Sequence, residues 1–276
     1  MHRGGPGSVA AVTEVIDIDD PADPRIDDFR DLTTADRRPD RPGGRGLVIA
    51  EGVVVVERLV ASRYPVRALL GVDSRYQALA GTLRDVTAPF YRATADLMAQ
   101  VVGFHLNRGV LAVADRIAFP EPRELLSAAR TVAVLEGVGD HENLGALFRN
   151  AAALGIDAVL LMEGCADPLY RRSVRVSMGN VLRVPFGQLR GGPVESVRLL
   201  QEAGFVVAAL TPHQDALPVR EFRRDGARLA VLLGSEGPGL SAGALRASDV
   251  WLRIPMADGV DSLNVATAGA IAFALL

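Results

Sequence analysis

The sequence predicts an α/β protein of two domains, on three observations. From residue 46 onward, short apolar runs of strand length alternate with amphipathic stretches of helix length, the pattern of strands joined by covering helices. Pro120 and Pro122, among charged neighbours, interrupt the alternation near the middle of the chain and mark a boundary. Beyond it, three apolar strands each run into a polar or glycine-rich turn, and open α/β sheets bind ligands at such strand ends.

Residues 1–22 are rich in Gly, Pro and Asp without periodicity and read as a flexible tail. Residues 23–118 read as a small α/β domain. It opens with a short helix near 26–32. A basic, turn-rich segment follows, in which Arg37, Arg38, Arg41 and Arg45 stand among prolines and glycines, either as a solvated loop or against phosphate. Then come a strand from 47, an amphipathic helix over 51–61, a strand over 66–72, a helix over 74–83, a short strand over 89–92, a helix over 94–102 and a strand over 108–114. The turn before that last strand carries His105, Asn107 and Arg108 between Gly103 and Gly109. Those side chains are donors for a ligand, or a turn packed by its own hydrogen bonds.

Residues 119–127, with their two prolines, read as a linker. Residues 128–276 read as the second domain. Strands are expected over 131–135, 158–162, 181–185, 206–210, 229–233 and 250–254. Helices are expected from Asn143 to 154, over 170–178, over 194–203 and from Leu263 to the end. This order predicts a mostly parallel sheet with helices on both faces.

Composition narrows the function. Hydrophobic residues make up 49% and charged residues 23%, a globular balance with ample core. The net charge of −3 announces no polyanion partner by itself, so any nucleic-acid contact must come from a local patch. All 30 basic residues are Arg, the side chain that forks onto phosphate. Cys165 is the sole cysteine, which excludes an internal disulfide and a cysteine metal cluster. The N-terminus has no signal-like apolar run, and no apolar stretch is long enough to span a bilayer, so a cytoplasmic protein is expected. No Walker motif appears, and no GxGxxG follows the first strand.

Three clusters carry the chemistry. The first is Glu142-Asn-Leu-Gly-Ala-Leu-Phe-Arg149, the second Leu233-Gly-Ser-Glu-Gly-Pro-Gly-Leu240, the third Ile254-Pro-Met256 with Ser262-Leu-Asn264. Read alone, Gly234 and Gly239 fit an ordinary strand-to-helix turn, Ser262 and Asn264 fit helix caps, and Glu236 fits a charge favoured by a helix dipole. A buried Arg on a helix, as Arg149 is expected to be, is paired or functional.

Order and spacing together resemble the three motifs of the SpoU/TrmH-type RNA ribose 2′-O-methyltransferases, a branch of the SPOUT superfamily. The likeness is tightest over residues 131–276 and looser over 22–118. It implies a SPOUT-type parallel sheet whose chain end threads a loop as a trefoil knot. It also implies an N-terminal domain that binds substrate RNA, and a homodimer formed by the C-terminal domain. S-adenosylmethionine is the implied methyl donor, with no metal and with RNA, ribosomal RNA before tRNA, as substrate. Carried over by position, Arg149, Asn143, Glu236, Ser262 and Asn264 are the catalytic candidates. Arg149 grips phosphate more easily than it takes a proton, since Arg stays charged. Leu210, Thr211, Gly234, Ile254, Met256 and Leu263 are the donor-site candidates. Arg45, His105, Asn107, Arg108, Arg175 and Ser177 are the RNA candidates. His141 departs from the pattern, standing where many relatives have proline. A non-catalytic RNA-binding or ribosome-assembly protein is the competing reading.

Overall fold

The computed structural model describes residues 13–32 and 46–276. The chain divides into two compact units, Met1–Arg116 and Ile117–Leu276.

The first unit is built on five strands: β1 (Val15–Asp17), β2 (Leu47–Glu51), β3 (Val66–Gly71), β4 (Phe90–Arg92) and β5 (Val110–Asp115), in spatial order β1-β4-β3-β5-β2. β1, β4 and β3 run parallel, and β5 is antiparallel to both its neighbours. Helices α1 (Val53–Val60), α2 (Asp73–Leu79) and α3 (Ala95–Val102) connect them. A 3-10 helix at Pro24–Phe29 inserts Ile26 and Phe29 into a core with Leu70, Met98, Val101 and Val113.

The expected tail over 1–22 is corrected for the described residues 13–22. Thr13 is buried and its Oγ1 donates to the Leu83 carbonyl at 2.7 Å, while Val15–Asp17 forms the edge strand β1 on β4. Asp17, Asp19 and Asp20 make the segment look solvated. Asp17 instead accepts from Arg92 Nε at 2.6 Å across the strand pair.

The second unit is a seven-stranded sheet, parallel throughout where a mostly parallel sheet is expected. Its strands are β6 (Thr131–Glu136), β7 (Ala158–Leu161), β8 (Phe186–Gln188), β9 (Phe205–Leu210), β10 (Leu217–Pro218), β11 (Arg228–Gly234) and β12 (Val250–Arg253). Their order is β10-β12-β9-β11-β6-β7-β8. The inner strands are unbroken apolar runs because helices cover both faces; Leu229 to Leu233 are all buried.

The linker expected over 119–127 is also corrected. Pro122–Ala128 is a helix, α4, with proline at its first turn, where the missing N–H costs nothing. Leu126 is buried in the second unit's core, and Leu125 packs against Gly187 of β8. The strand expected over 181–185 is displaced. Gly179 (φ 78°) starts a 3-10 turn at Asn180–Leu182, and pairing begins only at the Pro185 carbonyl, which accepts from the Val159 amide at 2.9 Å.

The remaining helices are α5 (His141–Ala153), α6 (Arg171–Val176), α7 (Pro193–Glu202), α8 (Ala242–Ala247) and α9 (Val265–Leu275). Two glycines set their contacts. A Cβ at Gly145 of α5 would lie 2.9 Å from the Ser173 carbonyl oxygen of α6, and one at Gly269 of α9 would lie 2.6 Å from Leu147 of α5. Asn150 Nδ2 donates to the Ala266 carbonyl at 2.8 Å, pinning α9 to α5. No helix among the described residues is long and apolar enough to cross a membrane.

Candidate active site

Three strand ends of the second unit converge. After β6 the chain turns through Gly137–Asp140 into α5. Asp140 caps that helix, its Oδ1 accepting from the Glu142 and Asn143 amides, both at 2.9 Å, which fixes the backbone that carries Asn143.

After β11 the chain folds back tightly on itself. The Gly239 amide donates to the Ser235 carbonyl at 3.2 Å, with Gly237 and Gly239 left-handed at φ 86° and 70°. A Cβ at Gly234 would lie 2.2 Å from the Gly239 carbonyl carbon and 2.3 Å from the Leu240 nitrogen. Glycine is therefore obligatory at 234 for the loop to close. The far end of the loop is held by Glu136, whose Oε2 accepts from the Ser241 amide at 2.9 Å; Glu136 is also the residue paired with Gly234 in the sheet.

After β12 an irregular segment leads to Asn264, the N-cap of α9. Its Oδ1 accepts from the Ala266 and Thr267 amides at 3.0 and 3.2 Å. The cap fixes which side of the amide is oxygen, so Nδ2 must face outward as a donor. It donates to Asn143 Oδ1 at 2.8 Å and to Glu236 Oε1 at 2.7 Å. One side chain thus joins all three clusters.

Beside this junction lies a cavity of about 490 Å³. Leu210, Thr211, Gly234, Ile254, Met256 and Leu263 line it, and so do Glu236, Ser262 and Asn264. Its walls are apolar at Leu233 and Val265 and offer main chain along Ser235–Gly237. That size and mixture suit a small organic ligand. Among the described residues, no cluster of His, Cys, Asp or Glu is arranged to hold a metal ion.

The SpoU rRNA Methylase family model matches residues 130–274, more than half of the chain and the whole of this site. The chain belongs to the SpoU family. An uncharacterized tRNA/rRNA methyltransferase of Mycobacterium tuberculosis is 58% identical over 262 residues, covering 94% of this chain and 91% of that protein. The 23S rRNA (guanosine(2553)-2′-O)-methyltransferase of Bacillus subtilis is 35% identical over 150 residues, 54% of this chain and 59% of its own length. Among solved structures, the SpoU methyltransferase AviRb of Streptomyces viridochromogenes, in complex with S-adenosylmethionine, superposes with a TM-score of 0.70 at 25% identity, covering 83% of this chain and 88% of that one. The protein is an RNA methyltransferase of the SpoU/TrmH family.

Within this SpoU-family site the other sequence candidates fall in different places. Asn143 does not line the cavity but reaches it through Asn264. Arg149 is exposed, not buried as expected, and has no hydrogen-bond or ion-pair partner among the described residues. Six residues along α5 from Asn143, it lies about 9 Å further on and about 240° around the helix, so it leaves on another face. Arg175 is exposed likewise. Ser177 is withdrawn as an RNA contact: it is fully buried, and its Oγ donates to the Val174 carbonyl at 3.0 Å. Arg172 is occupied by Glu142 at 2.5 Å. His105, Asn107 and Arg108 are exposed, and none of their side chains bonds within the described residues, so the turn is not packed by hydrogen bonds of its own side chains. Arg45 lies outside the described residues.

His141 stacks on Tyr170 with ring centroids 4.4 Å apart. Burial pushes its imidazole below the ordinary value, against the opposing pull of Asp167 and Asp140, so it is a neutral packing residue at pH 7. Cys165 donates to the Leu135 carbonyl, and burial raises its thiol, which makes it unreactive. Sequence reasoning missed Asp140, Glu136 and Asn150. Asp140 was detectable as an Asp just before a helical run. Glu136 was not, since its partner Ser241 is 105 residues away.

Proposed function

We propose that the protein methylates a ribose 2′-hydroxyl of ribosomal RNA, with 23S rRNA the favoured target, and that it acts as a homodimer. S-adenosylmethionine is the methyl donor. The observation that carries the reading is the Asn264 bridge, which brings Asn143 and Glu236 together at the wall of the donor-sized cavity.

The cavity fits the donor. Leu210, Ile254 and Leu263 offer apolar surface for a purine, and Thr211, Gly234 and Met256 complete the wall. When bound, the donor supplies a methyl group on a positively charged sulfur, chemistry that needs alignment and proton removal rather than a Lewis acid. The chain's own residues provide both. Asn264 holds Asn143 by its oxygen, which leaves the Asn143 amide N–H groups free to grip a substrate oxygen. Glu236 accepts from Asn264 through Oε1 only, and its second oxygen is open to take the hydroxyl proton as the new C–O bond forms and the C–S bond breaks. Ser262 stands on the same wall to orient the ribose. Arg149, always charged, grips the phosphate beside it.

Two features support the homodimer. α9 is apolar at every position except Thr267, yet its outer face, including Leu275 at 44% exposure, meets solvent in one copy. Arg149 leaves α5 on another face than Asn143 and without a partner among the described residues. A second copy docked on α5 and α9 would cover the apolar face and receive Arg149 at its cavity. The trefoil knot belongs to the same reading: from β12 at one side of β9, the chain end returns as α9 over α5 and β11. A tRNA target is the second reading, since the mycobacterial relative's name gives tRNA and rRNA together.

The test is methyl transfer from labelled S-adenosylmethionine to 23S rRNA fragments and to tRNA transcripts, followed by alkaline hydrolysis. A 2′-O-methyl group blocks cleavage at its nucleotide. Label in an alkali-resistant dinucleotide from the 23S fragments is expected. Label on a base, or in tRNA alone, overturns the reading.

A further inference from the structure

We infer that His141 and Tyr170 form a stacking surface for an unpaired base of the substrate RNA, at or next to the methylated nucleotide, an inference that rests on the ribose-methylation reading above. The pair stands where the loops after β6 and β7 meet, at the same sheet end as the Asn264 bridge. Those loops are locked together. The Gly137 amide donates to the Glu163 carbonyl at 3.2 Å, and the Ala166 amide to the Val138 carbonyl at 2.8 Å. A Cβ at Gly164 would lie 3.2 Å from Gly137 Cα, so the two backbones touch.

α5 leaves the first loop with His141 as its first residue, and α6 leaves the second with Tyr170 as its N-cap. The rings are tilted by 53° against each other. Glu142 and Arg172 clasp the same two helices at 2.5 Å, so the rings sit on a fixed base. Asn143 follows His141 by two residues, about 200° around the helix and about 3 Å along it. It reaches to Asn264 while His141 reaches to α6. The two side chains therefore flank one helix end, about 10 Å across. A nucleotide whose ribose rests at Asn143 has its own base, or its neighbour's, within that reach.

Both rings are only partly covered by the protein. A tyrosine half-buried for packing ordinarily finds a partner for its hydroxyl. The Tyr170 hydroxyl has no hydrogen-bond partner among the described residues. Burial holds the His141 imidazole neutral at pH 7, and a neutral ring gives up its water more cheaply than a cation when a base covers it. Proteins read single-stranded RNA by laying unstacked bases on Tyr, His and other rings. Every base has such a face, so this surface selects an unpaired nucleotide rather than a sequence.

Single-turnover methyl transfer by the full-length protein tests the surface. The substrates are an RNA whose methylated nucleotide has been located by alkaline hydrolysis, and three RNAs that each lack one base, at that nucleotide or at either neighbour, with every ribose kept. Tyr170→Leu is expected to raise the RNA concentration for half-maximal rate about 10- to 100-fold, the scale of one lost base–aromatic stack. Donor affinity by calorimetry should not change. Tyr170→Phe keeps the ring and should restore wild-type behaviour, and His141→Leu should act in the same direction as Tyr170→Leu. One abasic RNA should cost the wild type a similar factor and cost Tyr170→Leu nothing further, since the stack is already gone. Unchanged RNA dependence in Tyr170→Leu, or a loss that multiplies with the loss from all three abasic RNAs, overturns the surface while the RNA reading stands. A loss matched by an equal fall in donor affinity shows the pair to be only a cement between α5 and α6, and overturns it too. A wild-type protein that transfers no methyl group to RNA overturns the reading itself and the surface with it.

Discussion

At the scale of single residues, Gly234 shows how a position can matter for a reason other than the one its motif suggests. A glycine in a ligand-binding turn is expected to let the ligand approach. Here the space is taken by the protein's own Gly239–Leu240 backbone, 2.2–2.3 Å from where a Cβ would sit. Gly234→Ala should therefore open the loop, costing about 1–3 kcal/mol as an overpacked site. Donor affinity should fall at least ~10-fold, since the loop is a cavity wall. Gly237→Ala is the contrast: its Cβ meets nothing within 4 Å, so only the strain of φ 86° remains, about 1 kcal/mol. Thermal melts and calorimetry on both variants check this. An unshifted melt with normal donor binding in Gly234→Ala would show that the loop does not need its closed form. Asn264 has a similar double use. Its oxygen caps α9 and its nitrogen joins Asn143 and Glu236, so a capping role leaves the side chain's donor end available to the site.

At the scale of elements, what could be read from the sequence depended on the range of the forces involved. The buried parallel strands β6, β7, β9 and β11 were legible because burial on both faces leaves a nearly unbroken apolar run. The cavity-lining residues were legible through the resemblance, whose motifs lie at the ends of β9, β11 and β12 and before α9. β1 was not, because its one carboxylate, Asp17, is matched by Arg92 of the neighbouring β4, far away in the sequence. α4 was not, because Pro122 starts a helix as readily as it breaks a linker. Ser177 was misplaced because residue type does not reveal which face of a turn is buried. The Glu136–Ser241 bond spans the sheet end and has no local signature. It predicts that Glu136→Ala weakens donor binding about tenfold, the scale of one charge-assisted bond to a backbone amide. Glu136→Gln, which keeps an acceptor oxygen, should restore most of it. β6 is paired on both sides, so the melt should move little in either variant. Calorimetry showing equal loss in both variants, or none in either, would remove Glu136 as the anchor of the loop.

At the scale of the whole molecule, a protein with net charge −3 acts on a polyanion through local arginines, and Arg149 is the one tied to catalysis in this reading. Its exposure and its angle on α5 predict that it serves the cavity of the second copy. Arg149→Ala should keep the dimer and the donor affinity but lose at least ~100-fold in single-turnover methyl transfer, the scale of a lost positioned catalytic group. Arg149→Lys should rescue poorly, because an ammonium lacks the planar fork. Mixed dimers decide the geometry. One copy carries Arg149→Ala with an intact cavity, and the other carries Gly234→Ala with an intact Arg149. If Arg149 acts across the dimer, each mixed dimer regains one working site, and an equal mixture recovers about a quarter of wild-type sites: half the dimers are mixed, each with one of two sites. If Arg149 acts within its own copy, no working site is regained. At a donor concentration too low to fill the weakened Gly234→Ala cavity, transfer in the mixture above the sum of the two parents is the expected result. Mixed dimers that form and stay inactive, or a chain that scatters as a monomer at micromolar concentration, would return Arg149 to its own cavity or remove it from the reaction.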